Sequence, residues 1–251
     1  MVDSNPSCLN CGNDLLGKFC SNCGQAATTG RMETRLLLQD LAANLFNLET
    51  VALRTVLGLL RNPGRVCRDY VQGKRIRYVS PWRYFLSILT LTLLLNFLAG
   101  FDPTKMQPRP DFTPKQAAVQ QLIGSFVVQK LDLILLAVLP IFIAAVRRLF
   151  GRRRANYAET SVFVLFVMAQ VLLLGLPMIP LRSLSPGLVV VAKILLQVSL
   201  LTWAAKEFFG LSTLSSSLRS VAATAVYFLL VISMVTLFSL PRVLELMRTY
   251  G

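Results

Sequence analysis

Histidine is absent from all 251 residues of the chain. Its absence excludes Ser-His-Asp and Cys-His nucleophiles, His-ligated catalytic metals and imidazole proton shuttles. The sequence also contains no P-loop, no dinucleotide fingerprint and no pair of carboxylates spaced for hydrolysis. We therefore expect a protein that is not an enzyme.

Charge is scarce and unbalanced. Charged residues make up 15% of the chain, whereas about 25% is usual in soluble domains. The chain has 26 Lys and Arg against 12 Asp and Glu, a formal net charge of +14, and 54% of its residues are hydrophobic. A soluble core cannot bury so many apolar residues, so the composition predicts a membrane protein with basic edges.

Four of the five cysteines form two CxxCG units near the N-terminus, Cys8 with Cys11 and Cys20 with Cys23. Two such turns can present four thiolates to one tetrahedral metal, and a glycine after each unit tolerates the positive φ of the turn. We interpret residues 1–30 as a zinc ribbon with a structural zinc ion. A rubredoxin-type iron site, two disulfides and a redox-active CxxC are the alternatives.

The cysteines also indicate a compartment. Thiolate ligands require a reducing environment, which predicts a cytoplasmic N-terminus. Cys67 stands alone in a basic stretch with no partner residue in the sequence, and we interpret it as a bystander thiol.

Residues 31–80 are predicted to hold an amphipathic helix and then a basic juxtamembrane segment. Leucines and other apolar residues recur every three or four positions from Leu37 to Leu59, and Asn62-Pro63-Gly64 ends this pattern. The segment that follows has seven cations and one acid, Asp69, interleaved with aromatic residues typical of a headgroup-level anchor. We call its cations the basic collar: Arg61, Arg65, Arg68, Lys74, Arg75, Arg77 and Arg83.

Residues 81–251 contain five apolar runs, each near the length of about 20 residues that crosses a bilayer. The runs are 82–99, 131–146, 160–176, 188–205 and 221–240. The second extends backwards, because Thr113-Pro114 has the pattern of a helix start. The predicted fold is an all-α polytopic membrane protein with about five transmembrane helices, preceded by the ribbon and the amphipathic helix.

The loop charges predict an orientation independently of the cysteines. With the N-terminus inside, the second inner loop carries five arginines between Arg147 and Arg154, and the third carries Lys206 and Arg219. The short loop between the third and fourth spans has only Arg182. This distribution follows the positive-inside rule and places the C-terminus outside.

Few polar residues lie at membrane depth. Gln170 occupies the middle of the third span, and Lys193 and Gln197 lie one turn apart in the fourth. Such residues usually snorkel or join helices by hydrogen bonds. The alternative is a small transporter or channel with a path lined by these three, although no span has an acid near its middle.

The basic collar suggests an anionic partner. Each Lys or Arg beside an anionic leaflet gains about 1 kcal/mol of binding free energy. The collar is therefore predicted to bind lipid headgroups or to dock a partner. The alternative is that its charges only set the membrane topology. The ribbon can hold a protein partner. Its only charges between Cys8 and Gln25 are Asp14 and Lys18, and nucleic acid is not expected on so neutral a surface.

The order of residues before the first span resembles a bacterial membrane-protein family catalogued as domain of unknown function 3667. The resemblance covers the ribbon and the stretch up to the first span, the first third of the chain. It implies an inner-membrane protein with a cytosolic zinc ribbon and a basic collar, and it supplies no activity. The residues that carry it are Arg54-Thr55, Leu59, Pro63-Gly64-Arg65, Tyr70, Gly73-Lys74-Arg75, Tyr78, Pro81 and Tyr84.

The predicted orientation can be tested with reporter fusions. We expect a periplasm-active reporter enzyme to be active at the C-terminus and inactive at Arg152, because the arginine-rich loop remains inside. Activity at Arg152 and none at the C-terminus would contradict the five-span topology.

Overall fold

The protein is all-helical in the part of the chain that the structure describes, as the sequence predicts. The structure is a computed structural model, and it describes residues 7–27, 49–99, 113–151, 154–183 and 185–249. Residues 7–27 contain two isolated β-bridges but no continuous strand. The α-helices of the described residues are α1 (Glu49–Arg61), α2 (Pro63–Val71), α3 (Pro81–Leu98), α4 (Pro114–Phe150), α5 (Tyr157–Gly175), α6 (Pro186–Phe208) and α7 (Thr213–Thr249).

Proline starts four of these helices, because its missing N–H would be unpaired at a first helical position and its fixed φ suits the helix. The predicted start at Pro114 agrees with the structure, and α3 starts at Pro81 in the same way. The sequence predicts that Asn62-Pro63-Gly64 ends the first helix, and α1 does end at Arg61. Pro63 also starts α2, because the Asn62 side chain accepts a hydrogen bond from the Arg65 N–H at 3.1 Å and caps this helix.

Four of the predicted spans lie on described segments that are long and apolar enough to cross a membrane. These segments are Arg75–Leu98, Tyr157–Met178, Gly187–Phe208 and Thr213–Glu245. The remaining predicted span, 131–146, lies on α4, where several side chains are outside the described residues. The chain therefore has the composition of a multi-pass membrane protein.

Helix α5 is the centre of the bundle. Every residue from Ala158 to Val171 is buried, and the helix packs against α3, α4 and α6. A helix that is hydrophobic on all sides is stable only when it is surrounded. This is why the third predicted span shows no polar face in the sequence.

Helices α4 and α7 form a long pair beside α5. Each has 37 residues, a length of about 55 Å at about 1.5 Å per residue. The hydrocarbon core of a bilayer is about 30 Å thick, so each of these helices is longer than that core. Large apolar side chains such as Leu229 and Ile232 are exposed on α7, as expected of a surface that faces lipid.

Helix α2 lies against α5 and α6 at the end of the bundle where α6 stops. Gly64 makes this approach possible, since a Cβ atom there would lie 2.5 Å from the Ala204 carbonyl oxygen and 2.7 Å from Glu207 Cβ. Tyr70, on the same helix, makes an edge-to-face contact with Phe166 of α5 at 5.6 Å between ring centroids. These contacts join the collar segment to the membrane bundle.

The contact at Gly64 predicts a sharp sensitivity to one methyl group. We expect Gly64→Ala to destabilise the protein by about 1–3 kcal/mol, because α2 must move away from the backbone of α6. The thermal midpoint in detergent measures this effect. Gly187→Ala is the control, since nothing lies within 4 Å of a Cβ there, and equal midpoints for both variants would contradict the contact.

Candidate metal centre and basic collar

The four predicted metal ligands lie together. The Sγ atoms of Cys8, Cys11, Cys20 and Cys23 are all within 4.8 Å of one another. Cys8 Sγ is 3.5 Å from Cys23 Sγ, and Cys11 Sγ is 3.5 Å from Cys20 Sγ. Tetrahedral zinc with bonds of about 2.3 Å needs sulfur atoms about 3.8 Å apart, so a small contraction or expansion of the cluster is enough to hold a metal ion.

The two CxxCG units have the same backbone geometry. The N–H of Gly12 donates to the Cys8 carbonyl at 2.7 Å, and the N–H of Gly24 donates to the Cys20 carbonyl at 2.9 Å. Both glycines have positive φ, 79° and 73°, a region that side chains avoid. The glycine that follows each unit in the sequence is therefore required by the turn that brings its two thiols together.

The thiol pKa values of Cys23 and Cys11 differ, because the two side chains have different hydrogen-bond partners. Burial opposes the thiolate of Cys23, but hydrogen bonds with the Asn10 side chain and the Gln25 backbone outweigh it and lower the Cys23 pKa to about 6. The Asn13 backbone lowers the pKa of Cys11, yet desolvation and the other three thiols raise it to about 11. A metal ion that binds all four sulfur atoms must displace the remaining protons, so its affinity depends on pH.

The ribbon rests on the basic collar. A Cβ atom at Gly73, where φ is 102°, would lie 2.7 Å from Leu9 Cδ1. The Arg77 guanidinium donates to the Asn10 carbonyl at 3.3 Å. Leu9 and Asn10 are the two residues between Cys8 and Cys11, so the first CxxCG unit itself forms the contact.

Lys74 and Arg77 of the basic collar bind groups within the chain that the sequence alone did not indicate. Lys74 pairs with the Asp69 carboxylate at 2.9 Å, and the Tyr78 hydroxyl donates to the other oxygen of Asp69 at 3.3 Å. Arg77 binds the ribbon. Among the described residues, Arg61, Arg65 and Arg68 have no hydrogen-bond or ion-pair partner for their guanidinium groups, and Arg61 and Arg65 are exposed. Arg75 and Arg83 are half-buried.

Arg154, between α4 and α5, and Arg219, in the second turn of α7, bind carbonyl groups at helix ends. Arg154 donates to the carbonyl of Phe209 at 2.7 Å, just after α6, and Arg219 donates to the carbonyl of Phe150, the last residue of α4, at 3.3 Å. The last carbonyls of a helix lack partners within it and carry partial negative charge, which favours a cation there. These arginines therefore join helix ends in addition to any effect on topology.

The polar residues predicted at membrane depth are distributed over separate contacts. Gln170 is fully buried and accepts a hydrogen bond from the Tyr84 hydroxyl at 2.8 Å, which joins α5 to α3. Gln197 is buried on α6, and its amide nitrogen has no partner among the described residues. Lys193 is half-buried and its Cε lies beside Gly175. The partnership of Gln170 with Tyr84 was not predicted, since nothing in the sequence indicates which faces of α3 and α5 meet.

Cys67 is buried in the core that α2 forms with the bundle. Burial raises the pKa of its thiol, and the Glu207 carboxylate raises it further. The side chain therefore remains a neutral thiol and packs as a small apolar group.

The resemblance to an uncharacterised family is confirmed by a family model. The model described as "Protein of unknown function (DUF3667)" matches residues 52–93. This range includes every residue from Arg54 to Tyr84 that carries the resemblance, and several of these, among them Leu59, Gly64 and Tyr70, are buried. No curated protein and no solved structure matches the chain.

The cysteine geometry predicts a bound metal ion. We expect elemental analysis of the purified protein to find about one metal ion per chain, because four thiolates close a single tetrahedral site. Cys8→Ser and Cys20→Ser should each remove it. Cys67→Ala should retain it, and a metal content that is insensitive to Cys8→Ser would contradict this assignment.

Proposed function

We propose that this protein is a non-enzymatic membrane protein that binds anionic phospholipids at the cytoplasmic leaflet through its basic collar. The supporting observation is that the guanidinium groups of Arg61, Arg65 and Arg68 have no hydrogen-bond or ion-pair partner among the described residues, and they lie beside helices apolar enough to cross a membrane. Cations at such a position gain about 1 kcal/mol each from an anionic leaflet. The N-terminus is on the cytoplasmic side of a bacterial inner membrane, and the C-terminus is outside.

The metal in this proposal is a structural zinc ion. Closed sites of four cysteines favour zinc, and a site with four protein ligands has no open position for a substrate. Its role is to hold the first CxxCG unit in the shape that contacts Gly73 and Arg77. The ion thereby stabilises the ribbon on the collar.

A protein partner for the ribbon is supported by its apolar tip. Leu16 is 94% exposed and Phe19 is 66% exposed, on the segment between the two CxxCG units. The contact with the collar uses Leu9 and Asn10 and leaves this tip uncovered by the described residues. Exposed apolar groups on so small a unit favour a protein or membrane contact.

A small transporter or channel is the second candidate. The buried amide nitrogens of Gln170 and Gln197 have no hydrogen-bond partner among the described residues, and an unpaired donor in a bundle favours a polar occupant. The Tyr84 bond assigns Gln170 a structural role, and the middle of each predicted span lacks an acid. A solute flux through reconstituted protein would favour this candidate.

The lipid proposal predicts a change in the lipids that co-purify with the protein. In Arg65→Gln/Arg68→Gln the ratio of anionic to zwitterionic lipid should fall about thirtyfold, since the two cations contribute about 2 kcal/mol together. Mass spectrometry of the extracted lipids measures this ratio. The control variant Arg148→Gln/Lys206→Gln removes two exposed cations elsewhere and should leave the ratio unchanged. An unchanged ratio in both variants would contradict lipid binding by the basic collar and would indicate that its charges only set topology.

A further inference from the structure

An open groove lies on the exposed side of α1. Its volume of about 400 Å³ is within the range of small-molecule pockets. It is separate from the metal centre, and of its lining residues only Arg61 belongs to the basic collar. Its lining residues are Leu53, Arg54, Leu57, Gly58, Arg61 and Tyr78.

The groove lies at the level where the first span begins. Thr55 lies in the same turn of α1 as the groove residue Arg54. Its buried hydroxyl accepts a hydrogen bond from the Val79 N–H at 2.9 Å. Tyr78 forms part of the wall, and α3 begins at Pro81. A ligand in the groove would therefore contact residues within one turn of the start of a predicted membrane span, where headgroups and acyl chains meet.

The lining has the chemistry of an anionic amphiphile site. The side chains of Leu53 and Leu57 are 61% and 41% exposed and lie one turn apart, which provides an apolar wall. Arg54 and Arg61 are two turns apart on the same helix, about 10 Å along its axis. Both are exposed, and neither has an ion-pair partner among the described residues. The nearby acid Asp69 is already bound by Lys74 and Tyr78.

We propose that this groove binds one membrane phospholipid with an anionic headgroup. Arg54 and Arg61 bind the phosphate, and an acyl chain lies against Leu53 and Leu57. Arginine presents several donors in a planar fork that suits phosphate oxygens. This proposal rests on the proposed function and names a particular site for it, with Arg54 as a residue outside the basic collar.

The test is a titration of the delipidated full-length protein in detergent with phosphatidylglycerol, followed by native mass spectrometry. We expect one phosphatidylglycerol per chain to bind more tightly than phosphatidylcholine. Arg54→Gln/Arg61→Gln should weaken this binding about tenfold or more. Leu53→Glu should weaken it similarly, because it places a negative charge and a polar group on the apolar wall.

Matched variants separate the groove from general charge effects. Leu60→Glu places the same charge on an exposed position of α1 outside the groove and should retain binding, as should Arg148→Gln/Lys206→Gln. Each variant is first required to keep the metal content and thermal midpoint of the unaltered protein. If Leu53→Glu fails this requirement, the exposed pair Arg54→Gln/Arg61→Gln decides the outcome.

The outcomes distinguish this proposal from the one on which it rests. Loss of phosphatidylglycerol in Arg65→Gln/Arg68→Gln, with full binding in the two groove variants, would overturn the groove site and keep the proposed function. Full binding in all of these variants would overturn both. Equal affinity for phosphatidylcholine would also overturn the groove site.

Discussion

The close packing of α2 on α6 at Gly64 is the contact on which the arrangement of the ribbon, the basic collar and the helix bundle depends. With no side chain at this position, the backbones of the two helices approach within a distance that a single methyl group would prevent. On the same helix, Cys67 and Tyr70 are buried against the bundle. The turn at Gly73 and the short helix Arg75–Arg77 follow directly, and they carry the surface on which the ribbon rests. The ribbon, the collar and the bundle are thus joined in series through one helix of nine residues.

The positive charges of the chain make different kinds of contact. Lys74 neutralises a nearly buried carboxylate, Arg77 binds the ribbon backbone, and Arg154 and Arg219 bind carbonyls at helix ends. Each of these groups has a partner whose desolvation would otherwise be costly. The exposed arginines Arg54, Arg61 and Arg65 lie together around α1 and the start of α2. Their placement concentrates the available positive charge where a ligand can reach it, which is why the lipid proposals focus on this surface.

Much of the fold follows from local chemistry that a single sequence displays. The Thr113-Pro114 pattern predicted the start of α4, and the apolar runs predicted four membrane spans, because these signals act within one or two turns. The turn glycines of the CxxCG units were predictable for the same reason, since a positive φ is a property of one residue. Helix α2 was not predicted, because Pro63-Gly64 is typical of the end of a helix. A helix forms there because its residues pack against α5 and α6.

The sequence by itself determined the all-helical, membrane-type character of the chain and the set of four thiols, because hydrophobic runs and CxxC spacing act locally. Only the tertiary structure decided which polar groups meet. The bond between Tyr84 and Gln170 spans 86 positions, and that between Arg77 and Asn10 spans 67. The groove likewise forms only because Tyr78 lies beside α1, where the neighbouring Val79 N–H donates a hydrogen bond to the Thr55 hydroxyl. Such contacts depend on which faces of the helices pack together, and shape complementarity between distant segments leaves no periodic signal in a single sequence.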